Sequence, residues 1–560
     1  MKKLLVLLLL SGLACADGID WQPWEGAQQR AQRERRLVVL DLEAVWCHWC
    51  HVMDKTTYAD PRVIELLNRV AVPVKVDQDA RPDLGHRYED YGWPATIIFD
   101  HQGNELARLS GYVEPDRFVA IVQKLSADPR PLDSVTPPPP ARANGALDLE
   151  SLERRHFDLY DDERGGWGRI HKFVNGPVVE YCLERSLAGD ERNRAMARRT
   201  LEANLALMDP VWGGVYQYSD SAVWNSPHYE KIMSTQAANL RCYSLAYAQF
   251  GDPRYLAAAQ AIVAYLDSFL SDPSGGFYVS QDADVKQGEK ATDYFALDDA
   301  GRRARGIPRI DQHLYARETG WAVDALTVYA GITGDQAALE RALAGAHWLV
   351  AHRALEGGFS HDGQGLYLGD NLACASAFLS LYRATADPTW LERASATADF
   401  IDSRFTRPDH DGYYTSTEGL TRQPKENVAL ARFANLLYHH TGKPTHQAMA
   451  GRALAYFAIE GVTDGFNPGG LLLAAAENAR DPLHITVVSA PASPQGKALF
   501  TRAQASPSTY LRLDWWHPGT PLPPNTDTEY PDLGKAAAFV CTAGRCSPPI
   551  FTPEALARRL

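Results

Sequence analysis

Two cysteines separated by two residues, Cys47 and Cys50, have the types and spacing that most directly suggest chemistry. The preceding segment 37–42 is an apolar run with one aspartate, which is typical of a central strand, and residues 51–53 begin a predicted helix. A cysteine at a helix N-terminus faces the positive end of the helix dipole, which favours the thiolate. The pattern therefore predicts a thiol–disulfide exchange site in which Cys47 attacks and Cys50 resolves the mixed disulfide.

Further residues are expected to support this pair. Asp41 lies six residues before Cys47 and is either a buried carboxylate that assists proton transfer or an exposed residue at a strand edge. Trp46 and His48 flank the first thiol. Pro94 precedes a predicted strand at 95–99 and is a candidate cis proline packed beside the dithiol.

The same residues allow two other interpretations. Residues 47–51 match Cys-x-x-Cys-His, the attachment signature of c-type haem. Haem sites are usually carried by loops, whereas this motif follows a strand, so we expect no cofactor and no metal. Haem c remains the first alternative, and a zinc-bound or merely structural cysteine pair is the second.

The N-terminus predicts export. Two lysines precede a Leu-rich run at 4–10, and small residues at 14–16 fit a cleavage site, so residues 1–16 are predicted to be a signal peptide. Lipoprotein anchoring through Cys15 is the alternative. We therefore expect a periplasmic or secreted protein. A net charge of −13 argues against a nucleic-acid partner, and no later apolar stretch is long enough for a transmembrane segment.

Element patterns divide the remaining chain into four segments. Residues 17–128 alternate strands and helices, with strands expected at 37–42, 71–76, 95–99 and 105–109, and form a small α/β domain. Residues 129–146 are a linker with four consecutive prolines at 137–140. Residues 147–482 have helical periodicity, including a predicted helix at 230–250. Residues 483–560 return to strand patterns and predict a small C-terminal α/β unit.

The helical segment contains a recurring turn in which one or two glycines precede an aromatic or apolar residue. Examples lie at 165–167, 213–216, 275–278, 357–359, 412–414 and 465–466. Such spacing is typical of repeated helical hairpins. Six turns and about twelve helices predict a closed (α/α)6 toroid barrel, with an open α-solenoid as the alternative.

Loops of this barrel carry residues capable of acid/base chemistry. They are Trp224, His228, Tyr229, Glu230, Asp282, Asp284, Lys425 and Glu426. Carboxylates and histidine can act on a sugar, and aromatic rings can stack on one. The same residues can instead cap helices and brace loops, as Asp282 and Asp284 in particular would do. Both catalysis and ligand binding without turnover remain open for the barrel.

Other cysteines are assigned to structure. Cys541 and Cys546 are expected to form a small disulfide loop, and a redox relay with Cys47 is the alternative. Cys182, Cys242 and Cys374 lie in apolar helical patterns and are expected to be buried.

Longer motifs resemble a known family. Residues 46–53, 74–77 and 81–83, together with Trp93-Pro94, are similar to a widespread family of thioredoxin-domain proteins that includes the spermatogenesis-associated relatives. The resemblance continues through 227–231, 280–284, 422–427 and 539–546. It implies a thioredoxin-like domain followed by a six-hairpin glycosidase-like barrel. Segments 90–92 and 166–174 depart from the family pattern.

From these features we predict an exported thiol–disulfide oxidoreductase that uses a Cys-x-x-Cys dithiol. Its expected partner is a protein thiol or disulfide, and its barrel is expected to bind a substrate, partner or sugar-like ligand. The alternative is a carbohydrate-active or carbohydrate-binding barrel protein with an accessory thioredoxin-like domain.

Overall fold

A computed structural model of the chain describes residues 18–132, 139–143, 145–526, 528–542 and 545–560. The predicted signal peptide and the Cys15 anchor lie outside the described residues, as does part of the predicted linker. The chain divides into two compact units, Met1–Thr136 and Pro137–Leu560. Among the helices of the described ranges, none combines the length and the apolar character that crossing a membrane requires.

The first unit is built around one mixed four-stranded sheet. In chain order its elements are α1 (Ala27–Glu34), β1 (Leu37–Glu43), α2 (His48–Lys55), α3 (Pro61–Val70), β2 (Ala71–Asp77), α4 (Pro82–Tyr88), β3 (Ala95–Phe99), β4 (Glu105–Ser110) and α5 (Pro115–Ala127). The strand order is β2-β1-β3-β4. Strand β1 pairs parallel to β2 and antiparallel to β3, and β4 forms a hairpin with β3. The predicted thioredoxin-like arrangement is confirmed.

Strand β1 begins with four consecutive apolar residues because both of its faces are covered. Leu37 and Val39 face a core that they share with α3 and α5, and Val38 and Leu40 face a second core with α1. Because both faces are covered, polar residues are costly at every position. Asp41 follows Leu37 and Val39 on the same face and is only 1% exposed.

The second unit contains the helical segment. Its helices are α6 (Leu149–Asp158), α7 (Gly176–Leu187), α8 (Glu191–Asn204), α9 (Met233–Phe250), α10 (Pro253–Phe269), α11 (Thr292–Phe295), α12 (Asp299–Arg305), α13 (Ala316–Thr333), α14 (Gln336–His352), α15 (Leu368–Thr385), α16 (Pro388–Arg404), α17 (Pro424–Thr441), α18 (Pro444–Ala455) and α19 (Gly469–Asn478). Short strands in the loops are β5 (Tyr218–Ser219), β6 (Pro227–His228), β7 (Lys231–Ile232), β8 (Ser280–Gln281), β9 (Ile310–Asp311), β10 (Ala354–Leu355) and β11 (Gly358–Phe359).

Six inner helices form a closed ring. The packing order is α7, α9, α13, α15, α17 and α19, and α19 packs back against α7. Each inner helix has an outer partner: α8, α10, α14, α16 and α18 follow the first five, and α6 packs on α19. The predicted (α/α)6 barrel is therefore confirmed, and closure excludes the open solenoid. Because an outer helix returns the chain each time, the inner helices run in the same direction.

Three of the Gly-aromatic turns are held by a side-chain amide of the next inner helix. Asn371 accepts a hydrogen bond from the backbone N–H of Phe359 at 2.8 Å and donates one to the carbonyl of Phe359 at 3.0 Å. Asn427 makes the same pair of contacts with Tyr413, and Gln236 makes it with Val215. These amide side chains satisfy buried backbone groups that a turn cannot pair by itself.

Residues after 482 form a small α/β unit with one further sheet and two helices. Its elements are β12 (Leu483–Val488), α20 (Pro494–Gln504), β13 (Leu511–Trp516), β14 (Ala537–Thr542), β15 (Arg545–Cys546) and α21 (Pro553–Ala557). The strand order is β13-β12-β14-β15. Strand β12 pairs parallel to β13 and antiparallel to β14.

One predicted boundary differs at a candidate site. The helix expected at 230–250 begins at Met233, because Lys231 and Ile232 pair with Gln281 and Ser280 as strands β7 and β8. Glu230 therefore lies in a loop. Lys231 is fully buried, with Nζ 2.7 Å from Asp209 Oδ2 and 2.8 Å from the Gly213 carbonyl oxygen. Burial lowers the pKa of Lys231 to about 8, and the pairing with Asp209 opposes that shift.

Candidate functional sites

Cys47 is the N-cap of helix α2, directly after the loop that follows β1. Its Sγ accepts a hydrogen bond from the backbone N–H of Cys50 at 3.2 Å. Both residues are reduced thiols, and they are 5% and 2% exposed. The outer sulfur thus receives a backbone N–H and lies at the N-terminal end of the helix.

The two thiols differ in electrostatic setting. Burial, the hydrogen bond with the Cys47 thiol and the charge of that group raise the pKa of Cys50 well above its ordinary value. The charge of Asp41 acts in the same direction. Cys50 is therefore held as a protonated thiol, which suits the resolving position rather than the attacking one.

Buried Asp41 belongs to a charge cluster centred on Lys75, whose other members are half-buried. Lys75 Nζ lies 2.8 Å from Asp41 Oδ2, 2.8 Å from Glu43 Oε2 and 2.6 Å from Asp54 Oδ1. Burial raises the pKa of Asp41, and Lys75 opposes that shift. The three carboxylates lie close enough together to hold a metal ion, but the ammonium of Lys75 already supplies a cation there. Since β1 is an inner strand, Asp41 is the buried carboxylate of the two alternatives.

Other residues predicted around the dithiol have defined positions. The Trp46 indole N–H donates to Asp79 Oδ2 at 2.8 Å in a buried contact, which fixes the residue before Cys47. His48 is the first residue of α2 and its ring lies edge-on to Trp49. The peptide bond between Trp93 and Pro94 is cis, directly before β3. His51, the residue required by a haem motif, has Nε2 3.1 Å from the Val45 carbonyl oxygen.

Barrel residues predicted after the Gly213 turn have separate surroundings. The Trp224 indole donates to the Arg164 carbonyl at 2.9 Å, and Tyr229 stacks on Phe295 with ring centroids 4.3 Å apart. His228 stacks on Tyr218, and its Nδ1 lies 4.0 Å from Glu230 Oε2. The two aromatic side chains therefore pack within the loops, whereas His228 and Glu230 lie together.

The other predicted barrel residues make hydrogen bonds with residues near them in the chain or are exposed. Asp282 and Asp284 are buried; Asp282 accepts from the Asp284 N–H at 2.8 Å, and Asp284 accepts from the Gly288 N–H at 2.7 Å. Glu426 is buried and accepts a hydrogen bond from Thr415 at 2.9 Å, while Lys425 is exposed on the same first turn of α17.

A polar cluster that the sequence interpretation missed lies at the N-terminal ends of α13 and α15. Asp370 accepts from the backbone N–H of Arg317 at 2.8 Å, and its Oδ1 lies 2.9 Å from His361 Nδ1. The Arg317 guanidinium donates to Glu318 Oε1 at 2.9 Å. Burial lowers the pKa of His361, but Asp370 outweighs that effect and the pKa is raised. His361 also stacks on Tyr315 with centroids 4.0 Å apart.

The chain offers a signal for this cluster. At the start of three inner helices an acidic residue directly precedes the residue that holds a turn: Glu318-Thr319, Asp370-Asn371 and Glu426-Asn427. Thr319 accepts a hydrogen bond from the Phe277 N–H at 3.3 Å. Gly369 leaves room between two of these helices, because a Cβ there would lie 2.8 Å from Glu426 Oε1 and 3.4 Å from the Arg317 Cδ. The repeat therefore places three buried carboxylates at one end of the ring.

Fold and thiol geometry together define a thioredoxin-like protein whose second unit is an (α/α)6 barrel. Residues 12–123 match the family profile described as "Thioredox_DsbH: Protein of unknown function, DUF255". Spermatogenesis-associated protein 20 of Homo sapiens is 28% identical over 312 residues, which are 48% of this chain and 39% of that protein. The chain thus spans well under half the length of the curated relative.

Two further similarities concern the separate units. The thiol:disulfide interchange protein DsbD of Pectobacterium atrosepticum is 33% identical over 94 residues, 16% of each chain. Among solved structures, a sugar epimerase from ruminal bacterium is 15% identical with a TM-score of 0.44, covering 55% of this chain and 85% of that one.

Proposed function

We propose that the protein is a thiol–disulfide oxidoreductase in which Cys47 attacks and Cys50 resolves. The observation that carries this proposal is the asymmetry of the pair: Cys47 Sγ receives the Cys50 N–H at the helix N-terminus, while burial keeps Cys50 protonated. The similarity of the first unit to a thiol:disulfide interchange protein supports it.

The exchange takes place in two steps, formation of a mixed disulfide and its resolution. The Cys47 thiolate attacks one sulfur of a substrate disulfide and forms a mixed disulfide, and the other substrate sulfur leaves as a thiolate. Cys50 then loses its proton and attacks Cys47 Sγ. The Cys47–Cys50 disulfide forms, the second substrate sulfur leaves, and two electrons have passed to the substrate. The reverse steps oxidise a substrate dithiol, and the potential of the pair sets the direction.

Buried charges near the pair can serve proton transfer. Asp41 is 1% exposed, and its negative charge disfavours the Cys50 thiolate. Loss of the Cys50 proton therefore costs less when Asp41 is protonated. Lys75 holds Asp41 in place at 2.8 Å. We assign Asp41 and Lys75 as positioning residues for the second step.

Trapping of the mixed disulfide tests the order of attack. Cys50→Ser should accumulate a covalent complex with a disulfide-containing protein such as insulin, visible by non-reducing electrophoresis and released by dithiothreitol. Cys47→Ser should trap nothing, and Cys374→Ala, a buried thiol in α15, should behave as wild type. Trapping by Cys47→Ser but not by Cys50→Ser would reverse the assignment.

We propose further that the protein works outside the cytosol. The amino-acid pattern of residues 1–16 and the Cys541–Cys546 disulfide support this, because disulfides persist in oxidising compartments. Cell fractionation tests it: the full chain should appear in the periplasm or medium, and deletion of residues 4–10 should retain it in the cytosol. An unchanged distribution would contradict export.

A second candidate function is a carbohydrate site in the barrel. The favouring observation is the buried Arg317–Glu318–Asp370–His361 cluster, in which Glu318 Oε2 has no hydrogen-bond partner among the residues that the structure describes. Carboxylates beside a histidine can bind and activate hydroxyl groups. A panel of mono- and disaccharides should raise the thermal midpoint, and His361→Asn and Glu318→Gln should abolish that shift, whereas exposed His347→Gln should keep it. A shift retained in both variants would place the ligand elsewhere.

A further inference from the structure

A cavity of about 400 Å³ lies within the second unit, between the barrel and the C-terminal sheet. Side chains from α17, β12, β13, β14 and β15 line it, and so does the segment 478–482 that follows α19. The lining is mainly polar and includes Arg480, His484 and Arg512. It also includes both sulfur-bearing residues Cys541 and Cys546, which are bonded to each other.

Strand register places the disulfide in a row of polar side chains. Arg512 on β13 is opposite His484 on β12, His484 is opposite Cys541 on β14, and Cys541 is opposite Cys546 on β15. Side chains that face each other across neighbouring strands project from the same side of a sheet and lie within contact distance. The bond between β14 and β15 therefore forms part of one wall of the cavity, with His484 beside it.

The imidazole of His484 is held by a buried carboxylate. His484 Nε2 lies 3.0 Å from Asp514 Oδ2, and the same oxygen accepts a hydrogen bond from Arg512 Nε at 2.8 Å. Because a carboxylate can only accept, Nε2 carries the proton toward Asp514. This contact fixes the orientation of the ring. Cys541 is the residue opposite His484 on the neighbouring strand β14.

We propose that the Cys541–Cys546 disulfide is a second redox site, reduced by a dithiol that enters this cavity. Cys546 is half-buried whereas Cys541 is buried, so the donor thiolate attacks Cys546 Sγ. Cys541 leaves as a thiolate opposite His484. In its doubly protonated form the ring keeps Nε2–H on Asp514 and stabilises the thiolate through its positive charge. The second thiol of the donor gives its proton to the Cys541 thiolate and attacks the donor sulfur that is bonded to Cys546, which releases the Cys546 thiolate. The donor becomes a disulfide, and two electrons reduce the protein.

The test uses the full chain with Cys47→Ser and Cys50→Ser, so that its outcome is independent of the first redox site. The probe is dithiothreitol. After timed exposure, thiols are blocked with a maleimide and the peptide containing 541–546 is quantified by mass spectrometry. Both cysteines should become labelled while circular dichroism shows the fold intact, and oxidised dithiothreitol should reform the bond. If the bond opens only after denaturant unfolds the protein, the disulfide is structural and the proposal fails.

His484→Gln tests the role of the neighbouring ring. We expect reduction to slow by at least about tenfold with the thermal midpoint unchanged, because the leaving thiolate loses a stabilising partner. Exposed His347→Gln is the matched control and should reduce at the parent rate. An unchanged rate in a folded His484→Gln variant would overturn the role assigned to His484. Native-state reduction of the parent chain tests the redox site even if that variant does not fold.

Discussion

Asp41 and Lys75 are opposite each other on the paired strands β1 and β2, with Lys75 Nζ 2.8 Å from Asp41 Oδ2. Asp41 lies on the same face of β1 as Leu37 and Val39. Lys75 also lies over the rings of Trp21 and Tyr58, at 5.0 and 5.2 Å from their centroids. One ammonium thus contacts three carboxyl groups, and the charge of one of them, Asp41, acts on Cys50.

Lys75→Met should destabilise the first unit. Asp41 would remain buried without its counter-charge, and removing one partner of a buried pair costs about 3 kcal/mol. Lys75→Arg keeps the charge and should lose less than about half of that. Urea denaturation followed by circular dichroism measures both. Equal stability of Lys75→Met and the parent would show that the pair is energetically neutral.

Glu180 should govern the acid stability of the barrel. Its carboxylate on α7 lies 3.0 Å from Arg241 Nε and 2.9 Å from an Arg432 guanidinium nitrogen. Burial raises its pKa, but the two arginines outweigh that effect and lower it from 4.5 to about 2. A depressed carboxyl pKa contributes stability that is present above the unfolded value of 4.5 and is lost as the pH falls toward 2.

Glu180→Gln is therefore expected to cost about 3 kcal/mol at pH 7, and its difference from the parent should shrink as the pH falls below 4.5. Glu150→Gln removes an exposed pair with Arg154 and should cost less than about 1 kcal/mol at any pH. Thermal unfolding across the pH range measures both. A pH-independent deficit for Glu180→Gln would contradict the assigned pKa.

The side-chain amides that hold the turns should contribute to barrel stability through their hydrogen bonds. Asn371→Ala removes the acceptor for the Phe359 N–H and the donor to its carbonyl, leaving two buried backbone groups unpaired, and should cost about 3 kcal/mol. Asn371→Gln keeps both the amide oxygen and the amide N–H groups, which Gln236 uses in the same way at Val215, and should cost less. Denaturant midpoints measure the loss of stability in each variant. Equal losses for the two variants would mean that hydrogen bonding to Phe359 is not the source of the stability that Asn371 contributes.

The thioredoxin-like unit could be predicted closely because its signals are local. Continuous apolar runs identify β1 and β3, and the Cys47–Cys50 spacing places both thiols on the first turn of α2. The Gly-aromatic turns similarly indicated helical hairpins. In each case the information lies within about ten residues of chain, the range over which periodicity and capping operate.

The remaining features depend on partners that are distant in sequence. Closure of the ring joins α7 to α19, which are separated by more than the length of a typical domain. The Asp370–Arg317 contact joins two hairpins, and the Arg512–His484–Cys541 row depends on strand register. Lys231 directly follows the predicted site residue Glu230, but its burial against Asp209 and its contact with the Gly213 carbonyl show that it holds the Gly213 turn.

Catalysed reduction of insulin disulfides by dithiothreitol tests the central claim most directly. The full chain should accelerate the reaction, and Cys47→Ser should return the rate to the uncatalysed background with an unchanged thermal midpoint. Cys242→Ala, which alters a fully buried thiol in α9, should keep the parent rate. A Cys47→Ser protein that remains as active as the parent would contradict the assignment of Cys47 as the attacking thiol.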